Sequence, residues 1–371
     1  NSGTSALLKR ASTPDRLGSF QGILVDPATQ RPLHYCSVGT GKELRFLTRG
    51  FTFRFPVPSQ RVEFRMLAEN TRTGKMEEVL SAPIEPKNMK VFFLDENLET
   101  KLLKKSSQAS FLVVTVYSEG YLESRRESFW RAAQRLVDVL EKNRFPGFEH
   151  FEVRGVFAPS QEGLGEATDL GLPIPERQTF LSLYFPYWHN FGRWYHVVYP
   201  TSEQKFRQRI GQVAYDYPIA IADSEAYWGV GNFNELTAIP SAHKSFTYLL
   251  LHEFGHYFGL NEEYEGGGPT ELAFAPGIEE PWSQNITFLK DKENLKWRSL
   301  VAASTPIPTP ASLWDPQIQS PLGAYRGGYA DTLPAGRSHK PGHSCVMKNG
   351  SSFCKVCEKA LREKVRFDLG G

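Results

Sequence analysis

The stretch FLVVTVYSEGY (residues 111–121) opens as an unbroken apolar run. A strand of that type is buried on both faces, so the sheet that contains it must be covered on each side. ESRRESFWRAAQRLVDVLEKN (123–143) follows, with Phe129, Ala133, Leu136, Val137 and Leu140 at helical spacing. FEVRGVFAP (151–159) reads as a second strand. Strand, helix and strand in that order constrain this part of the chain to α/β layering. Residues 201–215 predict another helix, with Thr201 or Ser202 as N-cap. Residues 218–224 predict a short strand after it. Residues 234–242 predict a further strand, placed at a sheet edge because it contains Pro240.

The text before this unit has a different period. GFTFRFPV (50–57) and RVEFRML (61–67) alternate apolar and polar residues, and KVFFLD (90–95) is another short apolar run. Pro, Gly and Asn break these runs, which predicts an all-β module of sandwich type. LLKKSSQAS (102–110) is a polar joint. A chain of 371 residues is too long for one ordinary core. The expected division is a β-sandwich module over 1–108 and a mixed α/β domain over 109–371.

A net charge of +2 gives no field that favours nucleic acid or an anionic membrane. No stretch approaches the apolar length of a transmembrane helix. The chain begins at Asn1, in keeping with a mature form whose signal peptide has been removed. The expected location is secreted, periplasmic or cell-surface. Of four cysteines, Cys345, Cys354 and Cys357 crowd the carboxy-terminal end, while Cys36 stands apart. Buried thiols, a zinc clip on the C-x-x-C pair, or a local disulfide from Cys345 are the readings. The disulfide is favoured, because a zinc ribbon needs a second C-x-x-C and none exists.

SFTYLLLHEFGHYF (245–258) predicts a helix that Ser245 can cap and Gly259 can end. Residues four apart share a helix face, so His252 and His256 present two imidazoles to one point. Glu253 stands beside the first. This H-E-x-x-H arrangement supplies two zinc ligands and a carboxylate base for the attacking water. A catalytic zinc takes a third protein ligand. Glu262, ten residues after His252, fills the last position of the extended H-E-x-x-H-x-x-G-x-x-H pattern, with Glu263 as its competitor. Gly259 would turn the chain back by adopting a left-handed conformation. The extended pattern also carries a methionine turn beneath the metal. Met347 is the only methionine downstream of the helix and is the candidate.

Several stretches resemble the M64 family of bacterial metallopeptidases, the IgA-peptidase family. VVTVYSEGY, WGVGNFNELTAIPSA, HEFGHYFGLNEEY, PWSQNIT, KWRSL, TPIPTP, GAYRGGY and SCVMKNGSSFCKVC occur in the family's order. The resemblance implies a metzincin-like zinc peptidase domain, with His252 and His256 as ligands and Glu253 as general base. Glu262 falls where the family generally shows Asp. Members tend to show Y-R-P before C-x-M, where this chain has HKP (339–341). His339 would then replace that tyrosine as oxyanion donor, with Tyr325, Tyr329 and His343 as competitors. The expected partner is a protein or peptide bound as an extended strand along residues 234–242. Two other classes compete: a catalytically silent binding or adhesion module, and a zinc hydrolase of a non-protein substrate. The intact Glu253 argues against the first.

Overall fold

The computed structural model describes residues 18–39, 52–70, 73, 75–89, 98–164, 178–184, 187–188, 193–194, 198–264, 280–328 and 338–370. Strands β1 (Phe20–Val25), β2 (Pro32–Val38), β3 (Val62–Glu69) and β4 (Met76–Ile84) form one antiparallel sheet in the order β2-β1-β3-β4. Where a sandwich has two facing sheets, the described amino-terminal strands make this one. Residues 52–58, expected as strand, have no regular structure. Pro56 and Pro58 remove the amides a ladder needs there. Phe53 and Phe55 of this stretch nevertheless pack together and against Phe64 of β3. The run expected over 90–95 lies outside the described residues, as does most of the aromatic stretch 184–199.

The second sheet has six strands. β5 (Glu99–Lys104), β6 (Leu112–Glu119), β7 (Phe151–Phe157), β12 (Tyr217–Ala222), β13 (Val230–Asn232) and β14 (Leu236–Pro240) take the order β13-β14-β12-β6-β7-β5. Two-residue ladders pair β8 (Leu183–Tyr184) with β11 (Tyr199–Pro200), and β9 (Tyr187–Trp188) with β10 (Arg193–Trp194). A further one pairs β15 (Tyr325–Arg326) with β16 (His339–Lys340). The four inner strands of the large sheet are parallel, and β5 and β13 are antiparallel edges. β5 precedes the boundary expected at 108, yet it hydrogen-bonds into this sheet. Residues 234–242 were expected at an edge. β14 is instead an inner strand, and Pro240 is tolerated because it is the strand's last residue. The edge beyond it is β13.

Both faces of the large sheet are covered, as the apolar run of β6 requires. Leu112, Val114 and Val116 of β6 and Tyr217, Ile219 and Ile221 of β12 face one core. There they meet α1 (Arg126–Lys142), α3 (Phe246–Tyr257) and α4 (Lys355–Asp368). Tyr117, Ala220 and Ala222 face the other, with Phe206 and Ile210 of α2 (Glu203–Ile210). The period-two alternation thus survives inside strands that are apolar on both sides. α2 starts after Ser202, whose hydroxyl accepts the Lys205 amide at 3.4 Å. It ends well short of Tyr215.

Buried Glu119, at the end of β6, ties the segment after α1 and β7 to the sheet. It accepts from the Thr179 hydroxyl and from the Leu181 and Leu183 amides. Burial raises its carboxyl to about 7, against those hydrogen bonds and the Arg209 charge, which pull it down. The folded chain keeps this proton in a pH range where the unfolded chain has lost it. The stability this group contributes is complete below the unfolded value of 4.5 and is lost as pH rises through about 7. Thermal melts are expected to show Tm falling more steeply across that window in the parent chain than in Glu119→Gln. Parallel profiles for the two would refute it.

Candidate metal centre

α3 exists because Phe246, Leu249, Leu250, Phe254 and Tyr257 bury one side of it against the sheet and α1. Ser245 is its N-cap residue, but the hydroxyl makes no capping bond. The imidazole of His243 accepts the Ser245 amide instead, at 3.0 Å. Gly259 ends the helix with φ of +89°, the left-handed conformation that glycine adopts without strain. The chain turns back there as the sequence predicts.

His252 and His256 stand one turn apart with their Nε2 atoms 3.1 Å from each other. Each ring is held by its other nitrogen. His252 Nδ1 lies 3.0 Å from the Val346 carbonyl, and His256 Nδ1 lies 2.9 Å from the Leu260 carbonyl. A carbonyl only accepts, so both Nδ1 atoms carry the proton and both Nε2 atoms are bare lone pairs. Two lone pairs facing at that distance repel unless a cation lies between them. Carbonyl-oriented imidazoles of this kind are the usual outer support of a metal site. Burial, then the neighbouring His256, lowers His252 to about 3, so its ring is neutral at any working pH. Neutral imidazole is the ligating form.

Glu253 is buried and lies against the backbone of the edge strand. A Cβ placed on Gly229 would come within 2.5 Å of its Oε1. A Cβ on Gly231 of β13 would overlap the Glu253 carbonyl oxygen. Only glycine lets β13 run this close to the helix. Tyr248, four residues before His252, places its hydroxyl 3.3 Å from His252 Nδ1 and donates to the Lys348 carbonyl. The Tyr264 ring stacks beside His252, and the half-exposed Tyr227 feels the Glu253 charge. These three tyrosines were missed in the sequence. Tyr248 could have been found by its i, i+4 relation to His252, whereas Tyr227 carries no local signal.

The two competing carboxylates point to different places. The Glu262 charge acts on His252. Glu263 is fully buried, with its carboxylate 3.1 Å from both Asn285 Nδ2 and Cys357 Sγ. Asn285 also donates to the Asn261 carbonyl and accepts the Asn261 amide, so it clamps the turn. Among the described residues, the one group of ligand atoms gathered within 4.8 Å is Glu263 with Cys345, Cys354 and Cys357. Met347 is buried beneath the helix, where a Cβ on Gly255 would sit 2.7 Å from its sulfur. Its carbonyl accepts the Glu263 amide.

The expected oxyanion donors lie around the β15–β16 ladder. Tyr325 is buried and gives its hydroxyl proton to the Pro321 carbonyl at 2.8 Å. Its ring packs on Trp314 and His343. His339 is a buried β16 residue whose backbone bridges to Thr287. Tyr329 lies outside the described residues. The favoured disulfide is not formed. None of the four cysteines is in a disulfide, and Cys345 and Cys357 have their sulfurs 3.7 Å apart, well beyond the ~2.05 Å of a bond.

A helix that carries two imidazoles and a carboxylate beside the last strand of a sheet is a layout suited to hydrolysing an extended chain, the work of a peptidase. The model of the IgA Peptidase M64 family matches residues 100–317, more than half of the 371 residues. The chain belongs to that family and is a peptidase. No curated protein matches it.

Proposed function

We propose that this peptidase is a zinc-dependent endopeptidase of metzincin-like layout. The observation that supports this most is the pair of Nε2 lone pairs 3.1 Å apart, with both Nδ1 protons given to main-chain carbonyls. His252 and His256 would hold the ion, with Glu262, whose charge already acts on His252, as third ligand. Bound zinc supplies Lewis-acid polarisation of the scissile carbonyl and a lowered pKa for the attacking water. Glu253 takes that water's proton and returns it to the leaving amine. Its place beside the backbone of Gly229 puts the base next to the strand that would carry the substrate. The peptide adds antiparallel to the outer edge of β13, and main-chain hydrogen bonds hold it there. Tyr227, beside the Glu253 charge, and Tyr264, stacked beside His252, are hydroxyl donors that an oxyanion would use. Met347 acts as the turn that floors the histidine pair. Export from the cell is part of the proposal, and fractionation of the source cells tests it.

Metal content and casein-type cleavage test the reading together. Stripping with a chelator is expected to abolish cleavage, and added zinc to restore it. Glu262→Ala is expected to weaken zinc retention at the histidine pair by more than the ~10–100-fold typical of an outer-shell partner. Full cleavage by metal-free protein would overturn the proposal.

A further inference from the structure

The structure assigns a second metal site, built from Cys345, Cys354, Cys357 and Glu263, that takes a tetrahedral thiolate-binding divalent cation of the zinc type. It shares none of the histidine pair's residues. All four side chains are buried. Their ligand atoms, three sulfurs and one carboxylate oxygen, fall within 4.8 Å of one another. A zinc–sulfur bond of ~2.3 Å sets the edge of a regular tetrahedron at ~3.8 Å. Cys345 and Cys357 have their sulfurs 3.7 Å apart. Glu263 Oε1 lies 3.1 Å from Cys357 Sγ and 4.0 Å from Cys354 Sγ. The group therefore has the size of a closed four-ligand shell, with no position left open for water.

The surroundings are those of bound thiolates. The Cys354 amide donates to Cys345 Sγ at 3.4 Å, an outer-shell contact that stabilises charge on sulfur. Cys354 is the N-cap residue of α4 and Cys357 lies in its first turn. A helix N-terminus favours negative charge on a cysteine placed there. The Cys345 carbonyl accepts the amides of Lys348, Asn349 and Gly350, which closes a tight knuckle behind the first ligand. Asn285 donates to Glu263 Oε1, the same oxygen that meets Cys357 Sγ. Lys340 reaches the Glu263 carbonyl with its ammonium at 2.7 Å and brings a positive charge to an acidic centre. The second ligand pair that the sequence lacked as a C-x-x-C motif is supplied by Cys345 and a glutamate 91 to 94 residues from its partner cysteines.

Such an ion joins three segments that only the fold brings together: the turn after α3, the Met347 turn and the start of α4. Glu263 neighbours Glu262, and Cys345 neighbours Val346, whose carbonyl orients His252. The second site is therefore a structural cross-link that fixes the surroundings of the first. It does not depend on the hydrolytic reading.

The test uses the full chain, purified under reducing conditions with zinc present, and counts metal per chain. Two zinc ions are expected in the parent chain. His252→Ala combined with His256→Ala is expected to keep one. Cobalt put in place of zinc in that double variant is expected to give sulfur-to-metal charge-transfer absorption, which imidazole and carboxylate ligands alone do not produce. Cys345→Ser in the same background is expected to lose the band. If that variant does not fold, the charge-transfer band of the histidine variant decides the matter unaided. A histidine double variant that holds no metal, or that shows cobalt without the thiolate band, overturns the assignment. Failure of the histidine site alone would leave the thiolate band in place, so the two readings fail separately.

Discussion

Glu253→Gln is expected to lower cleavage of a casein-type substrate by ~10² to ~10⁴-fold, the range for loss of a general base. Its zinc content is expected to match the parent chain. Glutamine keeps the shape and the fit against Gly229 but cannot take a proton. The proposed ligands His252 and His256 are untouched, and their orienting bonds run to Val346 and Leu260 rather than to Glu253. A fall in activity with full metal content separates the base from the ligands. Equal cleavage by the two chains would remove Glu253 from the mechanism.

Gly231→Val is the second large effect. β13 crosses α3 so closely that even a Cβ at this position would overlap the Glu253 carbonyl oxygen and press on the Cβ of His256 at 2.8 Å. Both neighbours belong to the motif helix, so nothing on that side can yield cheaply. Overpacking of this kind costs roughly 3 kcal/mol or more. For a domain of this size that corresponds to roughly 6–12 °C in Tm. Gly163→Ala is the control, because a Cβ there meets nothing within 4 Å. Equal melting temperatures for the two variants would mean that the edge strand moves off the helix freely.

What could be read in the sequence was local. The 3.6 spacing of Phe129, Ala133, Leu136 and Leu140 gave α1, and the apolar run gave β6. The four-residue step from His252 to His256 placed two imidazoles on one face. Gly259 had to turn, because the chain after the helix had to come back. Contacts between distant segments could not be read. Pro240 points to a sheet edge for residues 234–242, but it only ends the inner strand β14, and the three-residue β13 beyond it has no pattern to read. The described amino-terminal strands form one sheet, and alternation in 50–57 looks like a further strand until its prolines are weighed. Glu263 was treated only as a rival to Glu262. Its carboxylate instead joins cysteines far along the chain, a relation that spacing alone does not carry. A local disulfide is favoured over a zinc clip in the sequence for the same reason, since the cysteines' fourth companion is out of view there.

The strand β5 has a practical consequence for anyone dividing this protein. It caps β7 in an antiparallel ladder and presents Lys101 and Lys104 at the margin of the large sheet. A fragment started at residue 109 would strip that cover and leave β7, with Val153, Val156 and Phe157, as a naked edge able to recruit a neighbouring chain. Fragments meant to stay monomeric should therefore begin before Glu99, even if the amino-terminal sheet is discarded.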